Sequence, residues 1–300
     1  MWRVWRPTRK GRSRHAGWSS ARLNGADAPE VCLEGEDGHV LPFLYLAPAR
    51  RRPGRRGAAV EGTERLAERL RALLERLGLS IHGETAVQLV AYGELVWQGQ
   101  ARARLTGATS LEELVTKHIV DCATLWLVEG VEWDGWIDVG SGAGLPGLVL
   151  AVGRPEGQGT LLEATGKKAD FLRQAVTALG LEARLQVVHG RAEEWGRGPG
   201  RERYRVAVAR AVAPARVLAE YLLPLVEVDG VAVMMKGPQA EAELAEAERA
   251  LHVLGGRVER VHRLTLPEDQ GERRLVVVRK DRPTPEGYPR RAGLPAKRPL

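Results

Sequence analysis

Three glycines at alternate positions, Gly140, Gly142 and Gly144, follow the short run Trp136-Ile-Asp-Val139. Glycine tolerates a positive φ and carries no Cβ, so such a turn lets the backbone approach a ligand closely. The run before it has the composition of a buried parallel strand. Pro146 after it suits the first turn of a helix, where a missing N–H costs nothing. Strand, glycine turn and helix N-terminus together make a nucleotide-type site at the C-terminal edge of a sheet.

The spacing bears on which ligand that is. A dinucleotide fingerprint, Gly-x-Gly-x-x-Gly, fails from Gly140, where Leu145 takes the place of the third glycine. It fits from Gly142 through Gly144 to Gly147, which keeps a nicotinamide-dependent oxidoreductase as an alternative. That chemistry needs a hydride-handling pair such as Tyr-Lys, and none is suitably placed. The alternate glycines preceded by Asp138 resemble instead the Asp/Glu-x-Gly-x-Gly-x-Gly turn of S-adenosylmethionine-dependent methyltransferases. The methionine end of that donor carries an ammonium and a carboxylate, which an acid plus glycine backbone suits better than a bare anion nest does. Glu163, 23 residues after Gly140, stands where a strand-end carboxylate can accept both ribose hydroxyls. Ala192 and Glu193 follow the next strand, near where such folds read an adenine edge. His189 reads as structural. No Ser-His-Asp order, paired-carboxylate spacing or metal-ligand spacing appears, and Cys32 and Cys122 form no Cys-x-x-Cys.

These residues need elements to hold them. Three helices precede the turn. One starts at Thr63 with Leu66, Leu70, Leu73, Leu74 and Leu77 on one side and stops at Gly78. A second runs from about Gly83, with Val87, Val90, Ala91, Leu95 and Val96 as its apolar side. The third begins at Ser110, whose capping box closes with Glu113, and carries an apolar stripe from Leu111 to Trp126. From Trp136 strands alternate with helices: strands at 136–139, 160–163, 184–188, 204–209 and 231–235, then two close together at 257–266 and 274–279. Helices are expected from Pro146 to Val152, Lys167 to Leu179, Ala192 to Trp195, Ala215 to Leu223 and Gln239 to Leu254. The alternation implies an α/β fold, a doubly wound, mostly parallel sheet of Rossmann-like type with an antiparallel finish and an N-terminal helical subdomain. The chain divides into four segments: a disordered basic extension at 1–60, the helical subdomain at 61–132, the catalytic domain at 133–280 and a basic C-terminal tail at 281–300. The apolar run from Val40 to Leu46 stands isolated in the first of these.

The net charge of +7 is unevenly placed. Residues 1–60 carry twelve Lys/Arg and five Asp/Glu, a difference of +7; residues 279–300 carry seven and two, or +5; residues 61–278 therefore carry −5. Basic ends on an acidic middle point to a polyanionic partner met by the ends. With no run of eighteen apolar residues, no membrane span is expected, and with no apolar signal core the chain is expected in the cytoplasm.

Longer segments make the likeness specific. Asp138-Val-Gly-Ser-Gly-Ala-Gly-Leu-Pro-Gly147 is similar to the first motif of the RsmG (GidB) family, bacterial methyltransferases acting on N7 of a guanine in 16S rRNA. The resemblance continues through His118–Cys122, Glu163-Ala-Thr-Gly-Lys-Lys168, Gly190–Glu193, Ala209–Ala213, Met235-Lys-Gly237, Arg274–Lys280 and Tyr288–Arg291, covering about residues 63 to 300. By position it implies S-adenosylmethionine as cofactor, with contacts from Gly140, Leu145, Glu163, Ala164, Thr165, Ala192, Glu193 and Arg210. It implies 16S rRNA in the small ribosomal subunit as partner. Departures are Arg104-Leu-Thr106 where the family often has Asn-Leu-Thr, Cys122 where serine is usual, and Glu163 where many members have Asp.

Guanine N7 carries no proton before attack, so an in-line displacement at a sulfonium needs alignment rather than a general base. No catalytic acid or base is therefore expected. The chain has neither an Asp/Asn-Pro-Pro-Tyr motif for amino methylation nor a Pro-Cys nucleophile for pyrimidine C5; Arg210-Ala-Val-Ala-Pro214 stands after the fourth strand. Arg191, Lys236, Arg290 and Arg291 are the candidate RNA-facing cations. A monomer is expected. A small-molecule methyltransferase of the same fold is the second alternative, for which the basic ends would be incidental.

Overall fold

The protein is described by a computed structural model in which residues 56–300 are placed. The basic extension, with its run from Val40 to Leu46, lies outside the described residues except for the start of the first helix. Seven strands form one sheet in the order β3-β2-β1-β4-β5-β7-β6. They are β1 (Trp136–Val139), β2 (Gly159–Glu163), β3 (Leu185–His189), β4 (Tyr204–Arg210), β5 (Val226–Lys236), β6 (Gly256–Thr265) and β7 (Glu272–Lys280). The first five pair in parallel; β7 runs antiparallel between β5 and β6, the antiparallel finish expected from two strands so close in sequence.

Both faces of the sheet are covered, which is why its central strands read as unbroken apolar runs. Successive side chains point to opposite faces. Val206, Val208, Val231, Val233, Leu275 and Val277 enter one core, while Ala207, Ala209, Ala232, Met234, Val276 and Val278 enter the other. The first core is closed by α1 (Arg56–Glu75), α2 (Gly83–Gly99), α5 (Gly147–Gly153) and α6 (Gly166–Ala178). The second is closed by α8 (Ala215–Leu222) and α9 (Ala240–Leu254), with α7 (Ala192–Gly196) at its border and Tyr288 and Leu300 from the C-terminal segment. The N-terminal helices thus share a core with the sheet.

Three local differences from the sequence expectation have physical causes. Thr63 lies inside α1 rather than at its start, where its hydroxyl donates to Glu94 of α2 at 3.0 Å, a tertiary partner in place of a cap. On α2 the buried side is Ala86, Leu89, Val90, Tyr92, Gly93 and Val96, so Val87 faces out and Tyr92 faces in. β5 begins at Val226 because a bulge lets it pair early: Tyr204 meets Val226 but Val206 already meets Val231, with Asp229 at a left-handed φ of 67° between them.

The helix expected from Ser110 forms with its cap: the Ser110 hydroxyl accepts from Glu113 N–H at 3.0 Å. The Glu113 carboxylate closes onto Thr109, accepting from its N–H at 2.8 Å and its hydroxyl at 2.7 Å, which holds that carboxyl down at about 2. Beyond its first turn the helix is irregular. α3 (Leu111–Glu113) passes into a π-helical segment, Leu114–Ile119, then α4 (Val120–Ala123) and a 3₁₀ turn, Thr124–Leu127. A π segment widens the helix and shifts the facing of everything after it, and such segments recur beside functional sites. Here it comes directly before the turn that carries Asp121.

Candidate functional site

Parallel pairing brings four strand ends to one edge. Asp138 lies level with Leu161 on β2 and Val208 on β4, and Glu163 lies level with His189 on β3. Residues 140–147, 163–166, 190–193 and 210–214 therefore leave the sheet on the same side. Gly142 has a left-handed φ of 59°, and a Cβ there would meet only the Gly140 carbonyl, at 3.8 Å, so the outer side of the turn is open. Gly147 is the opposite case: a Cβ would fall 2.7 Å from Asp138 Oδ2 and 2.4 Å from Leu161, so glycine is what lets α5 close onto β1. Pro146 is the N-cap of α5 rather than its first residue.

Two carboxylates and a phenol brace this turn. Glu163 accepts from Gly142 N–H at 2.9 Å with Oε2 and from Thr165 N–H at 2.7 Å with Oε1. Asp138 accepts from Gly147 N–H at 2.9 Å with Oδ2, while its Oδ1 is buried with no partner. Burial pushes the Asp138 carboxyl up to about 7, against the lowering effect of the Gly147 N–H. Tyr92 is fully buried and donates to the Ala143 carbonyl at 2.9 Å; burial raises its pKa well above the ordinary value, so it stays a donor. The N-terminal helices thereby touch the glycine turn directly.

On the other side of β1, Arg210 at the end of β4 donates from Nη1 to Asp121 Oδ2 at 2.9 Å. Arg273 of β7 donates from Nε to the other oxygen of the same carboxylate at 2.8 Å. One acid thus serves two guanidiniums, and Arg210 Nε, also buried, has no partner. Cys122 beside them is buried, which pushes its thiol up to about 12 and leaves it unreactive as a nucleophile.

The edge gathers Gly140, Glu163, Ala164, Thr165, Ala192 and Arg210. The Leu145 side chain is packed in the core. Glu193 is only 2% exposed, and its carboxylate is taken up by Gly293 N–H at 2.7 Å and Arg191 at 3.4 Å. His189 touches the Ala164 carbonyl at 3.2 Å. Of the four candidate RNA-facing cations, Arg191 pairs with Glu193 but keeps about half its side chain exposed, and Arg291 is exposed. Lys236 is held by Glu243 and the Ala213 carbonyl, each at 2.6 Å, and Arg290 is held by Glu220. Four residues of this region carry no role in the sequence expectation: Tyr92, Asp121, Arg273 and Glu243. Tyr92 and Asp121 do leave a trace, as polar groups on otherwise apolar helix faces; Arg273 and Glu243 sit among so many charges that nothing marks them.

Two clefts of about 250 and 300 Å³ open at the opposite edge, where the strands begin, lined by residues such as Gln158, Arg184 and Arg203, and Glu132, Arg205 and Glu227. No residue of the glycine turn lines either.

The family model for rRNA small subunit methyltransferase G (GidB) matches residues 85–276. The ribosomal RNA small subunit methyltransferase G of Symbiobacterium thermophilum is 46% identical over 77% of this chain and 98% of its own length. This chain belongs to that family. The protein of the same name from Moorella thermoacetica is 42% identical over 77% of this chain and 97% of its own. A solved precorrin-6y C5,15-methyltransferase from Geobacter metallireducens aligns with a TM-score of 0.44 at 17% identity, over 59% of this chain and 95% of that one, too distant a likeness to bear on the site. Family membership makes the protein an S-adenosylmethionine-dependent methyltransferase of small-subunit rRNA. The residues present fit that donor: an open glycine turn, a buried acid with a free oxygen beneath it, and a strand-end carboxylate beside it. Among the described residues no helix is long and apolar enough to cross a membrane.

Proposed function

We propose that the protein methylates N7 of a guanine in 16S rRNA. The observation that carries this is the strand edge itself, where the open turn at Gly142 lies between the buried Asp138 carboxyl and Glu163. Bound S-adenosylmethionine supplies an electrophilic methyl on a positively charged sulfur. Gly140, Leu145 and the 163–165 segment hold the donor, with Ala192 and Glu193 on the adenine side and Arg210 beyond β4. Asp138 places negative charge under the turn, which favours the donor's ammonium.

On the acceptor side, N7 offers a lone pair and no proton, so these residues need only align it with the methyl. Arg191 and Arg291 meet rRNA phosphates, and the target base is met where it is unstacked. The reading takes the chain as a cytoplasmic monomer with no membrane role. Incubation with labelled S-adenosylmethionine and small ribosomal subunits lacking the modification tests it. Label recovered as 7-methylguanosine is the expected result; label on no nucleotide overturns it.

A further inference from the structure

The segment between β4 and α8 is clamped at both ends and strained in the middle. At its start Arg210 is fixed by Asp121. At its end Lys236 Nζ donates to the Ala213 carbonyl at 2.6 Å, and Glu243 Oε2 accepts both from Lys236 Nζ at 2.6 Å and from Ala215 N–H at 2.8 Å. One carboxylate of α9 therefore fixes the two ends of the Ala213–Ala215 junction through one lysine and one amide. Between the clamps Ala211 has a φ of 55°, a left-handed conformation that a residue with a Cβ seldom adopts. Strain of this kind persists where surrounding contacts over-determine the backbone, and it concentrates at functional sites.

The strained turn presents Val212. This side chain is 38% exposed, one of few large apolar residues so open on the described surface, and its Cγ2 lies 2.9 Å from where a Cβ on Gly140 would be. An apolar side chain is thus held over the first glycine of the donor turn, at the strand edge where transfer takes place. Solvent gives no reason to hold it there. A flat base does: alignment is the whole of catalysis at N7, and a ring must lie against something that fixes its plane.

We propose that the Ala211–Ala213 turn is the wall against which the acceptor base is seated, with Val212 meeting its face, and that Glu243 is the positioning residue that holds this wall through Lys236 and Ala215. The proposal rests on the reading of the protein as a guanine methyltransferase. It also gives Lys236, a candidate RNA-facing cation by sequence, a different task.

The full chain carrying Val212→Ser, Glu243→Gln or both is assayed with small subunits lacking the modification, measuring single-turnover rate, KM for the subunit and donor dissociation constant. The amide introduced by Glu243→Gln keeps an oxygen for Ala215 N–H, so the fold is retained, and unfolding midpoints check that. Each single variant is expected to lower turnover or raise the subunit KM by roughly tenfold, with donor affinity within about twofold of the parent. The double variant is expected to lose little more than either single one, because both act on one contact. Donor affinity falling in step with turnover, additive losses in the double variant, or parental kinetics in both single variants would each overturn the proposal. If the parent labels 7-methylguanosine while the variants match it, only the wall is lost. If the parent labels no guanosine, the function reading and the wall fall together.

Discussion

Two buried carboxylates hold arginines in this molecule, and they are balanced differently. Glu220 of α8, 1% exposed, takes Arg290 in a bidentate pair at 2.6 to 3.1 Å and also accepts from Arg290 N–H at 2.7 Å. One acid meets one cation, and both carboxylate oxygens are taken. Asp121 meets two cations, Arg210 and Arg273, and leaves Arg210 Nε without a partner. The first cluster is electrically closed and bolts residues 281–300 onto α8. The second has a spare positive charge and a spare donor at the edge where the strands end. Under the proposed function, the closed pair is architecture and the open one is a place for a ligand.

The sharpest way to break that contrast is to remove each acid in turn. Glu220→Ala leaves Arg290 facing an apolar site, and losing one partner of a buried pair costs about 3–5 kcal/mol. Urea unfolding should show that loss while donor affinity in the surviving native fraction stays within about threefold. A collapse of donor affinity with unchanged stability would mean that the C-terminal segment belongs to the site. Asp121→Asn should do the reverse. It keeps the shape but leaves two guanidiniums without an anion, so methyl transfer should fall about 30- to 100-fold, a loss of about 2–3 kcal/mol of transition-state stabilisation. Its unfolding midpoint should move less than that of the Glu220 variant. Equal losses of stability in both would erase the distinction.

The same contrast shows why some of the molecule is legible in its sequence and some is not. β1 is found at Trp136–Val139 as read, because a strand buried on both faces and closed by a glycine turn writes its own boundaries. Glu163 is legible because it ends the next strand. Arg210 and Arg290 give no local sign of their partners: one stands between alanines and the other between Pro289 and Arg291, and their acids stand 89 and 70 residues away. The charge count does not show which of these bases are already paired. Of the seven bases after residue 278, Arg279, Lys280 and Arg290 are matched by Glu259, Glu202 and Glu220, and Lys280 is wholly buried. Tyr92 and the π segment before Asp121 are set by packing between helices, which no local spacing records.

A third test concerns Asp138, the acid beneath the glycine turn at the same edge. Its carboxyl is raised by burial to about 7, so the folded state holds the proton more tightly than the unfolded chain does. Stability from this group therefore declines as pH climbs from the unfolded value near 3.9 toward 7 and is flat above it. Donor binding runs the other way, since the ionised form favours an ammonium. Affinity for S-adenosylmethionine should tighten as pH rises through about 7, by up to about tenfold per pH unit below it, or about 1.4 kcal/mol. Calorimetry between pH 5.5 and 8.5 checks this, and Asp138→Asn should flatten the profile. A parent profile already flat would detach Asp138 from the donor.

The smallest effect belongs to Arg291, the neighbour of the bolted Arg290. It is exposed, and no acid holds it in the way Glu220 holds Arg290. If open cations are the ones that meet RNA, Arg291→Ala should weaken subunit binding by less than about 1 kcal/mol and lower the slope of log affinity against log salt by about 0.7 to 0.9, the signature of one lost phosphate contact. Stability should not move, because a solvated arginine contributes little to it. Binding measured across a salt series separates this from an indirect effect on the fold. A weaker complex with an unchanged slope would mean that Arg291 acts through the packing of residues 281–300, and the rule that open cations are the ligand-facing ones would fail at the position most favourable to it.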